Sequence, residues 1–194
     1  MKILIMTLTI MFTLNLSAQI DNEHLEVGEK APEIIGVDQN GLKINSTETL
    51  KYNKILLVFY RGNWCPHCKK HLGSLQEHLN EFIEKGVYVM VVTPETVERT
   101  KETAEMWHSN FSIIHDANNK IMKDYKVAFV VNKENVPSYY GFVSKRVAEY
   151  NVKNNNVLPV PATYMIDQNG NISYVHYDPD YKNRSDFSEI LKSL

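Results

Sequence analysis

The chain has two cysteines, and they lie three residues apart at the junction of two strongly patterned segments. Residues 55–59 form an unbroken apolar run, which is typical of a strand covered on both faces in a parallel sheet. After Cys65 and Cys68, apolar residues recur at helical spacing until Lys85-Gly86, a plausible helix stop. These residues are Leu72, Leu75, Leu79, Phe82 and Ile83. The pattern predicts a strand, a tight turn and a helix, with Cys65 at the helix N-terminus.

That position favours an ionised sulfur. Unpaired backbone N–H groups and the positive end of the helix dipole stabilise a thiolate relative to a thiol. Cysteines placed this way in Cys-X-X-Cys motifs titrate at about 3.5 to 7.5, compared with about 8.5 for a free thiol. Cys65 is therefore the predicted attacking thiolate. Cys68, one turn further on, is the predicted resolving thiol that attacks the mixed disulfide and releases the product.

Other interpretations of the two cysteines account for less of the pattern. A disulfide between residues three apart stabilises a fold by only about 2 kcal/mol, against about 4.7 kcal/mol for a 100-residue loop. A zinc site needs two further ligands, and His67 and His71 form no second ligand pair of the usual spacing. Covalent haem attachment needs a histidine directly after the second cysteine, where this chain has Lys69. Redox chemistry is the favoured interpretation.

Residues 1–19 have the three parts of a secretory signal, namely a charged start with Lys2, an apolar stretch and small residues before a cleavage point. The apolar stretch, residues 3–14, is too short to span a bilayer. A hydrophobic first strand is the alternative. We expect an exported protein, periplasmic or otherwise extracytoplasmic, with no membrane anchor after cleavage, because no cysteine near the cleavage point could carry a lipid.

Residues 20–194 suit one domain rather than two. The net charge of the whole chain is −2, and removal of the signal with Lys2 makes it −3. Neither a basic block nor a basic helix face is evident in the sequence. Nucleic acid and anionic membrane surfaces are therefore poor candidates for partners.

The remaining pattern predicts the element order β-hairpin, β-α-β-α-β-α, β-hairpin, α. Asn40-Gly41 and Asn169-Gly170 mark the two hairpin turns. The run at 87–92 predicts a strand beside 55–59, joined to it by a right-handed crossover. Thr93-Pro94-Glu95 predicts the start of the next helix. Residues 126–156, called the inserted segment below, are irregular, and the pattern allows a helix over Val143 to Tyr150.

Two motifs together resemble a known family. A WCxxC turn between a strand and a helix, followed about a hundred residues later by a proline before a strand, resembles the thioredoxin fold. FYRGNWCPHC, LPVPATYMIDQNG and the later YDPDY resemble peroxiredoxin-like members of the alkyl hydroperoxide reductase/thiol-specific antioxidant (AhpC/TSA) family. The resemblance implies a thioredoxin-like α/β fold. Its central mixed β-sheet would be flanked by helices, with an N-terminal β-hairpin and an insertion before the strand that follows a cis proline.

The resemblance also implies roles for single residues. Cys65 would attack, Cys68 would resolve, and Trp64 would pack beside them. Pro161 would be a cis proline that faces the disulfide, presents backbone to an extended substrate and keeps metals off the thiols. No organic cofactor or permanent metal is implied, because the two sulfurs can carry the electrons themselves.

The residues between the cysteines, Pro66 and His67, make the motif CPHC, which is also the motif of the DsbA-type oxidants. An imidazole near Cys65 would favour its thiolate and make the disulfide more oxidising. The alternative is that His67 is a solvated helix residue. His71 and His78 are expected at the surface.

The chain also departs from its relatives. Typical peroxiredoxins have a PxxxTxxC pattern, and alignment puts Arg61 at its proline, Cys65 at its threonine and Cys68 at its cysteine. Pro161 occupies the place of the family's peroxide-polarising arginine, for which Arg61 could substitute. Thioredoxin has a buried acid six residues before its first cysteine, where this chain has Phe59.

These observations favour an extracytoplasmic thiol–disulfide oxidoreductase whose partners are protein or small-molecule thiols and disulfides. The alternative is a thiol-dependent peroxidase that reduces hydrogen peroxide or alkyl hydroperoxides through a sulfenic acid. A third hypothesis is a non-catalytic thioredoxin-fold module or copper carrier.

Overall fold

The computed structural model describes residues 24–151 and 156–194. The predicted signal, residues 1–19, lies outside this part of the chain, so it stays a prediction. Within the described residues, no helix is both long enough and apolar enough to cross a membrane.

Nine strands and six helices are present among the described residues. In chain order they are β1 (Ile35–Val37), β2 (Lys43–Asn45), α1 (Ser46–Leu50), β3 (Lys54–Phe59), α2 (Pro66–Glu84), β4 (Val87–Thr93), α3 (Val97–Trp107), β5 (Ser112–His115), α4 (Lys120–Asp124), β6 (Ala128–Val130), α5 (Tyr140–Tyr150), β7 (Val157–Pro159), β8 (Ala162–Ile166), β9 (Ile172–Tyr177) and α6 (Phe187–Lys192).

Strand β3 is the central strand of a five-stranded sheet with the order β5-β4-β3-β8-β9. β3, β4 and β5 run parallel to one another, while β8 pairs antiparallel with β3 and β9 antiparallel with β8. Side chains alternate between the faces of a strand. Leu56 and Val58 therefore enter one buried cluster, with both cysteines and the apolar side of α2, and Leu57 and Phe59 enter the cluster on the other face. The two-sided burial explains the unbroken apolar run.

The predicted fold class, a mixed sheet flanked by helices, is confirmed. The N-terminal hairpin forms as β1 and β2, the crossover joins β3 to β4 through α2, and the second hairpin forms as β8 and β9. The start predicted for the helix after β4 is wrong by several residues. Helix α3 begins at Val97, and Thr96 caps it by accepting a hydrogen bond from the Arg99 N–H at 3.3 Å.

The inserted segment contributes a small antiparallel ladder, β6 with β7, and helix α5. The end of α5 is joined to the loop after β4, because the Thr96 N–H donates to the Tyr150 carbonyl at 3.0 Å. The segment therefore lies against the same edge of the sheet from which the cysteine turn leaves.

The prediction of a cis bond before Pro161 is wrong, since every peptide bond between described residues is trans. An X-Pro bond prefers trans by about 0.5–1 kcal/mol unless the surroundings select cis. Here the Val160 N–H donates to the Val127 carbonyl at 2.7 Å and the Pro161 carbonyl accepts from the Asp178 N–H at 3.4 Å. The extended path from β7 to β8 satisfies these groups with a trans bond.

Candidate active site

The turn between β3 and α2 places Cys65 at the helix N-cap, as predicted, with Pro66 in the first turn. The Cys65 N–H donates to the Gly62 carbonyl at 3.0 Å and closes the turn. Gly62 has a φ of +150°, and a Cβ there would collide with the indole of Trp64 and come within 3.0 Å of a Glu95 carboxylate oxygen. Glycine is therefore required at this position.

The two sulfurs have opposite electrostatic preferences. The hydrogen bond from the Cys68 thiol, followed by the charge of Arg61, lowers the pKa of Cys65 to about 5 despite the opposing effect of burial. Burial and its neighbour Cys65 raise the pKa of Cys68 well above its ordinary value. The two sulfurs are not joined by a disulfide. The site thus pairs a thiolate at Cys65 with a thiol at Cys68 around neutral pH.

Two arginines approach the sulfurs. Arg61 Nη2 lies 3.8 Å from Cys65 Sγ, and Arg184 Nη2 lies 3.6 Å from Cys68 Sγ. The Arg61 guanidinium is held over the ring of Tyr181 at 4.5 Å and beside that of Trp64 at 5.3 Å. Arg61 was predicted as a candidate cation. Arg184 was missed, because nothing in the sequence links the loop after β9 to the cysteine turn.

Glu95 is a second residue that sequence reasoning missed. It is fully buried in the loop after β4, where one carboxylate oxygen accepts the Asn63 N–H at 2.9 Å. The other oxygen, Oε2, has no hydrogen-bond partner among the described residues. Burial raises the pKa of Glu95 to about 7. The position of thioredoxin's buried acid is occupied here by Phe59, at the end of β3. Because β3 and β4 are parallel, they end at the same edge of the sheet. An acid after β4, such as Glu95, could therefore have been considered from the sequence.

The inserted segment covers Cys65. Tyr139, Phe142 and Val143 join Tyr181 and the cysteine turn around a mainly apolar pocket of about 190 Å³ with Cys65 in its wall. Phe142 lies edge-to-face against Trp64, with ring centroids 6.1 Å apart. Only 1% of Cys65 and 3% of Cys68 is exposed. Both sulfurs are therefore almost fully shielded from solvent, and the pocket wall is where Cys65 is approached most directly.

Of the other residues predicted for the site, one is buried, one is exposed and one lies at the edge of the sheet. Trp64 is buried in the cluster that holds both cysteines, as expected. His67 is exposed and lies edge-to-face to Tyr181 at 5.5 Å. Continuing the register of β3 and β8 puts Pro161 opposite Tyr60, at the sheet edge where the cysteine turn begins.

The surface location expected for His71 is wrong. Its ring stacks on Phe187 at 4.5 Å, its Nε2 lies 3.1 Å from Ser185 Oγ, and burial lowers its pKa to about 3. The helical spacing of the apolar residues places Leu72 and Leu75 on the buried face of α2 and does not include position 71. His71 is nevertheless buried, because Phe187 of α6 packs on it. His71 is therefore a neutral packing residue.

No cluster of three or more histidine, cysteine or acidic side chains that could hold a metal ion occurs in residues 24–151 and 156–194.

The chain is similar in sequence to two kinds of thiol redox protein, thiol-disulfide oxidoreductases and peroxiredoxins. The chain is 28% identical over 129 residues to the thiol-disulfide oxidoreductase ResA of Bacillus cereus, covering 63% of this chain and 73% of that protein. It is 23% identical over 167 residues to the chloroplastic peroxiredoxin Q of Oryza sativa subsp. japonica, covering 86% of this chain and 65% of that protein.

The fold is similar to that of peroxidoxin BcpB from Mycobacterium tuberculosis, with a TM-score of 0.66, 16% identity and coverage of 88% of this chain and 96% of that one. The sequence model of the AhpC/TSA family matches residues 27–175, which include the cysteine turn, the inserted segment and most of β9. The match spans more than half of the chain, so this oxidoreductase with a thioredoxin-like fold belongs to the AhpC/TSA family.

Proposed function

We propose that the protein is an extracytoplasmic thiol–disulfide oxidoreductase in which Cys65 attacks and Cys68 resolves. The observation that carries the proposal is the unequal ionisation of the pair: Cys65 has a pKa of about 5, whereas the pKa of Cys68 is raised well above its ordinary value. A thiolate is the nucleophile in disulfide exchange. Cys65 is also the cysteine that lines the pocket.

The reaction proceeds in two exchanges. The Cys65 thiolate attacks one sulfur of a substrate disulfide, forms a mixed disulfide and releases the other sulfur as a thiolate. Cys68 then attacks the Cys65 sulfur, its proton passes to the leaving thiolate, and the Cys65–Cys68 disulfide forms. The substrate disulfide has been reduced to one thiolate, which takes its proton from solvent, and one thiol, and the Cys65 thiolate and Cys68 thiol have been oxidised to a disulfide. A second dithiol returns the protein to its starting state.

Peroxide reduction is the second candidate, and burial of the sulfurs favours it. A peroxide is small enough for a pocket of about 190 Å³, and Arg61 lies 3.8 Å from Cys65 Sγ, where it could polarise the bound oxygen. Cys65 would attack the peroxide, release water or an alcohol and become a sulfenic acid. Condensation with Cys68 would then release water and give the same disulfide.

The proposed location rests on residues 1–19, read as a signal that leaves residues 20–194 as the mature domain. N-terminal sequencing of protein recovered from the cell envelope would test it. A mature chain beginning near Ala18 to Ile20 is expected, whereas an intact Met1 would contradict export by cleavage.

One experiment separates the two activities. Reduction of a protein disulfide, reduction of a low-molecular-weight disulfide and consumption of hydrogen peroxide are followed in parallel for the wild type, Cys65→Ser and Cys68→Ser. The leading proposal predicts disulfide reduction that needs both cysteines, with mixed disulfides trapped only by Cys68→Ser. Fast peroxide consumption without disulfide reduction would assign the peroxidase instead.

A further inference from the structure

A second cavity, of about 640 Å³, opens beside the redox pair between the first turns of α2 and the loop before α6. We call it the basic cleft. Cavities that bind small molecules are commonly about 300–1,000 Å³. The lining of the basic cleft includes His67, Lys70, His71, Lys182, Arg184 and Asp186.

The lining carries an excess of positive charge. Lys70, Lys182 and Arg184 supply three cations, and neither lysine forms an ion pair with any described residue. His71 remains neutral, because burial lowers its pKa to about 3. Asp186 is the acid of the cleft, and its carboxylate caps α6 by accepting the Ser188 N–H at 2.9 Å. The excess contrasts with the net charge of −2 of the whole chain.

The basic cleft adjoins the cysteines at two points. Arg184 lines it and also reaches to 3.6 Å from Cys68 Sγ. His67 lines both this cleft and the apolar pocket that contains Cys65. A molecule that extends past His67 could thus place an apolar, sulfur-bearing part against Cys65 and an anionic part among the lysines.

We propose that the basic cleft binds the carboxylate end of a low-molecular-weight disulfide whose sulfur reacts at Cys65. The inference rests on the proposed disulfide-exchange function and names the substrate class. Burial of both sulfurs favours a small disulfide over a bulky protein surface, and the three cations favour an anion. The chemistry is the exchange described above: Cys65 bonds to one substrate sulfur, and the other leaves as a carboxylate-bearing thiolate. Cys68 then releases the second half as a thiol.

Three disulfides of similar size and different charge test the proposal: 3,3′-dithiodipropionate as the anion, bis(2-hydroxyethyl) disulfide as the neutral compound and cystamine as the cation. The rate constant for oxidation of the reduced full chain is measured with each. Each rate is divided by that compound's rate with 2-mercaptoethanol, so that intrinsic reactivity cancels. We expect the order anion, neutral, cation, with a preference that weakens as salt is added.

Variants test whether the preference for the anionic disulfide arises from the lysines of the basic cleft. The double variant Lys70→Gln/Lys182→Gln should lower the normalised rate for the anion by about two- to fivefold, the range for partly exposed charge pairs, and leave the neutral rate unchanged. Lys70→Gln and Lys69→Gln form a matched pair of single variants, because each removes one positive charge and only Lys70 lines the cleft. Lys70→Gln should weaken the preference for the anion, and Lys69→Gln is the control. It should keep the preference for the anion.

The failures are distinguishable. Equal normalised rates for the three compounds, or a preference that survives in the double variant, would overturn the basic cleft as a substrate site while leaving disulfide exchange intact. Failure of all three disulfides to oxidise a reduced protein that still reduces a protein disulfide would overturn the inference alone. Failure of the protein with both kinds of disulfide would overturn the proposed function, and the inference with it.

Discussion

The guanidinium of Arg61 lies 3.8 Å from the sulfur of Cys65, on the same turn of chain that presents the cysteine. Its position is fixed by the rings of Trp64 and Tyr181, so the positive charge does not have to be ordered when a substrate arrives. Arg61 occupies the place of the proline in the peroxidatic pattern of typical peroxiredoxins. The departure from the family pattern thus supplies a cation to the sulfur that the helix N-terminus also favours.

Replacing Arg61 by methionine should raise the pKa of Cys65, because the thiolate loses a neighbouring positive charge. A change of about one unit is expected for such a pair. The pH dependence of alkylation by iodoacetamide measures it. Arg184→Gln is the comparison, and its effect should be smaller because Arg184 contributes less to the Cys65 pKa than Arg61 does. Equal pKa values for wild type and Arg61→Met would refute this role for Arg61.

Glu95→Gln should change the pH dependence of stability. The pKa of Glu95 is raised from 4.5 to about 7 by burial, so the folded state holds a proton that the unfolded state releases. The wild type therefore loses up to roughly 3 kcal/mol of unfolding free energy through this group as pH rises from about 4.5 past 7. Glutamine keeps an oxygen for the Asn63 N–H and does not ionise.

Urea unfolding of the wild type and Glu95→Gln across this pH range gives the difference directly, since the other titrating groups are common to both. The variant should become progressively more stable than the wild type as pH rises. A constant difference across the range would show that Glu95 titrates alike in the folded and unfolded states, so that burial does not raise its pKa.

Phe142→Ala should open the apolar pocket above Cys65. A bulky maleimide dye should then label Cys65 several-fold faster, while the small iodoacetamide changes little. Phe142 is 51% exposed, so the loss of unfolding free energy should stay below about 1 kcal/mol. Val130→Ala is the matched control, because Val130 is 52% exposed in the same inserted segment but does not line the pocket. Unchanged labelling by the dye in Phe142→Ala would show that this ring does not limit access.

Much of the fold could be predicted because each element leaves a local residue pattern. A strand buried on both faces, for example, needs apolar residues at consecutive positions. The unbroken run of β3, the helical spacing after Cys68 and the two Asn-Gly turns each have a local cause, and each prediction is confirmed. The helix position of Cys65 follows from the same local pattern, with Cys65 as the N-cap. These signals need no knowledge of distant residues.

The remaining features depend on contacts between distant parts of the chain. Arg184 reaches Cys68 across 116 positions, and Glu95 reaches the Asn63 N–H across 32. His71 is buried because α6 packs on it, and Phe142 reaches Trp64 because the inserted segment folds back over the turn. Apart from the shared edge of β3 and β4, which could have pointed to Glu95, no pattern in the single sequence reveals these contacts.

The central claim is that Cys65 is ionised while Cys68 holds its proton. Brief alkylation of the reduced wild type with iodoacetamide at a series of pH values, followed by mass spectrometry of the peptides, measures labelling at each sulfur separately. The account predicts labelling of Cys65 with a midpoint at about pH 5 and protection of Cys68 throughout the neutral range. Labelling of Cys68 first, or of both cysteines together near the ordinary thiol pKa, would contradict it.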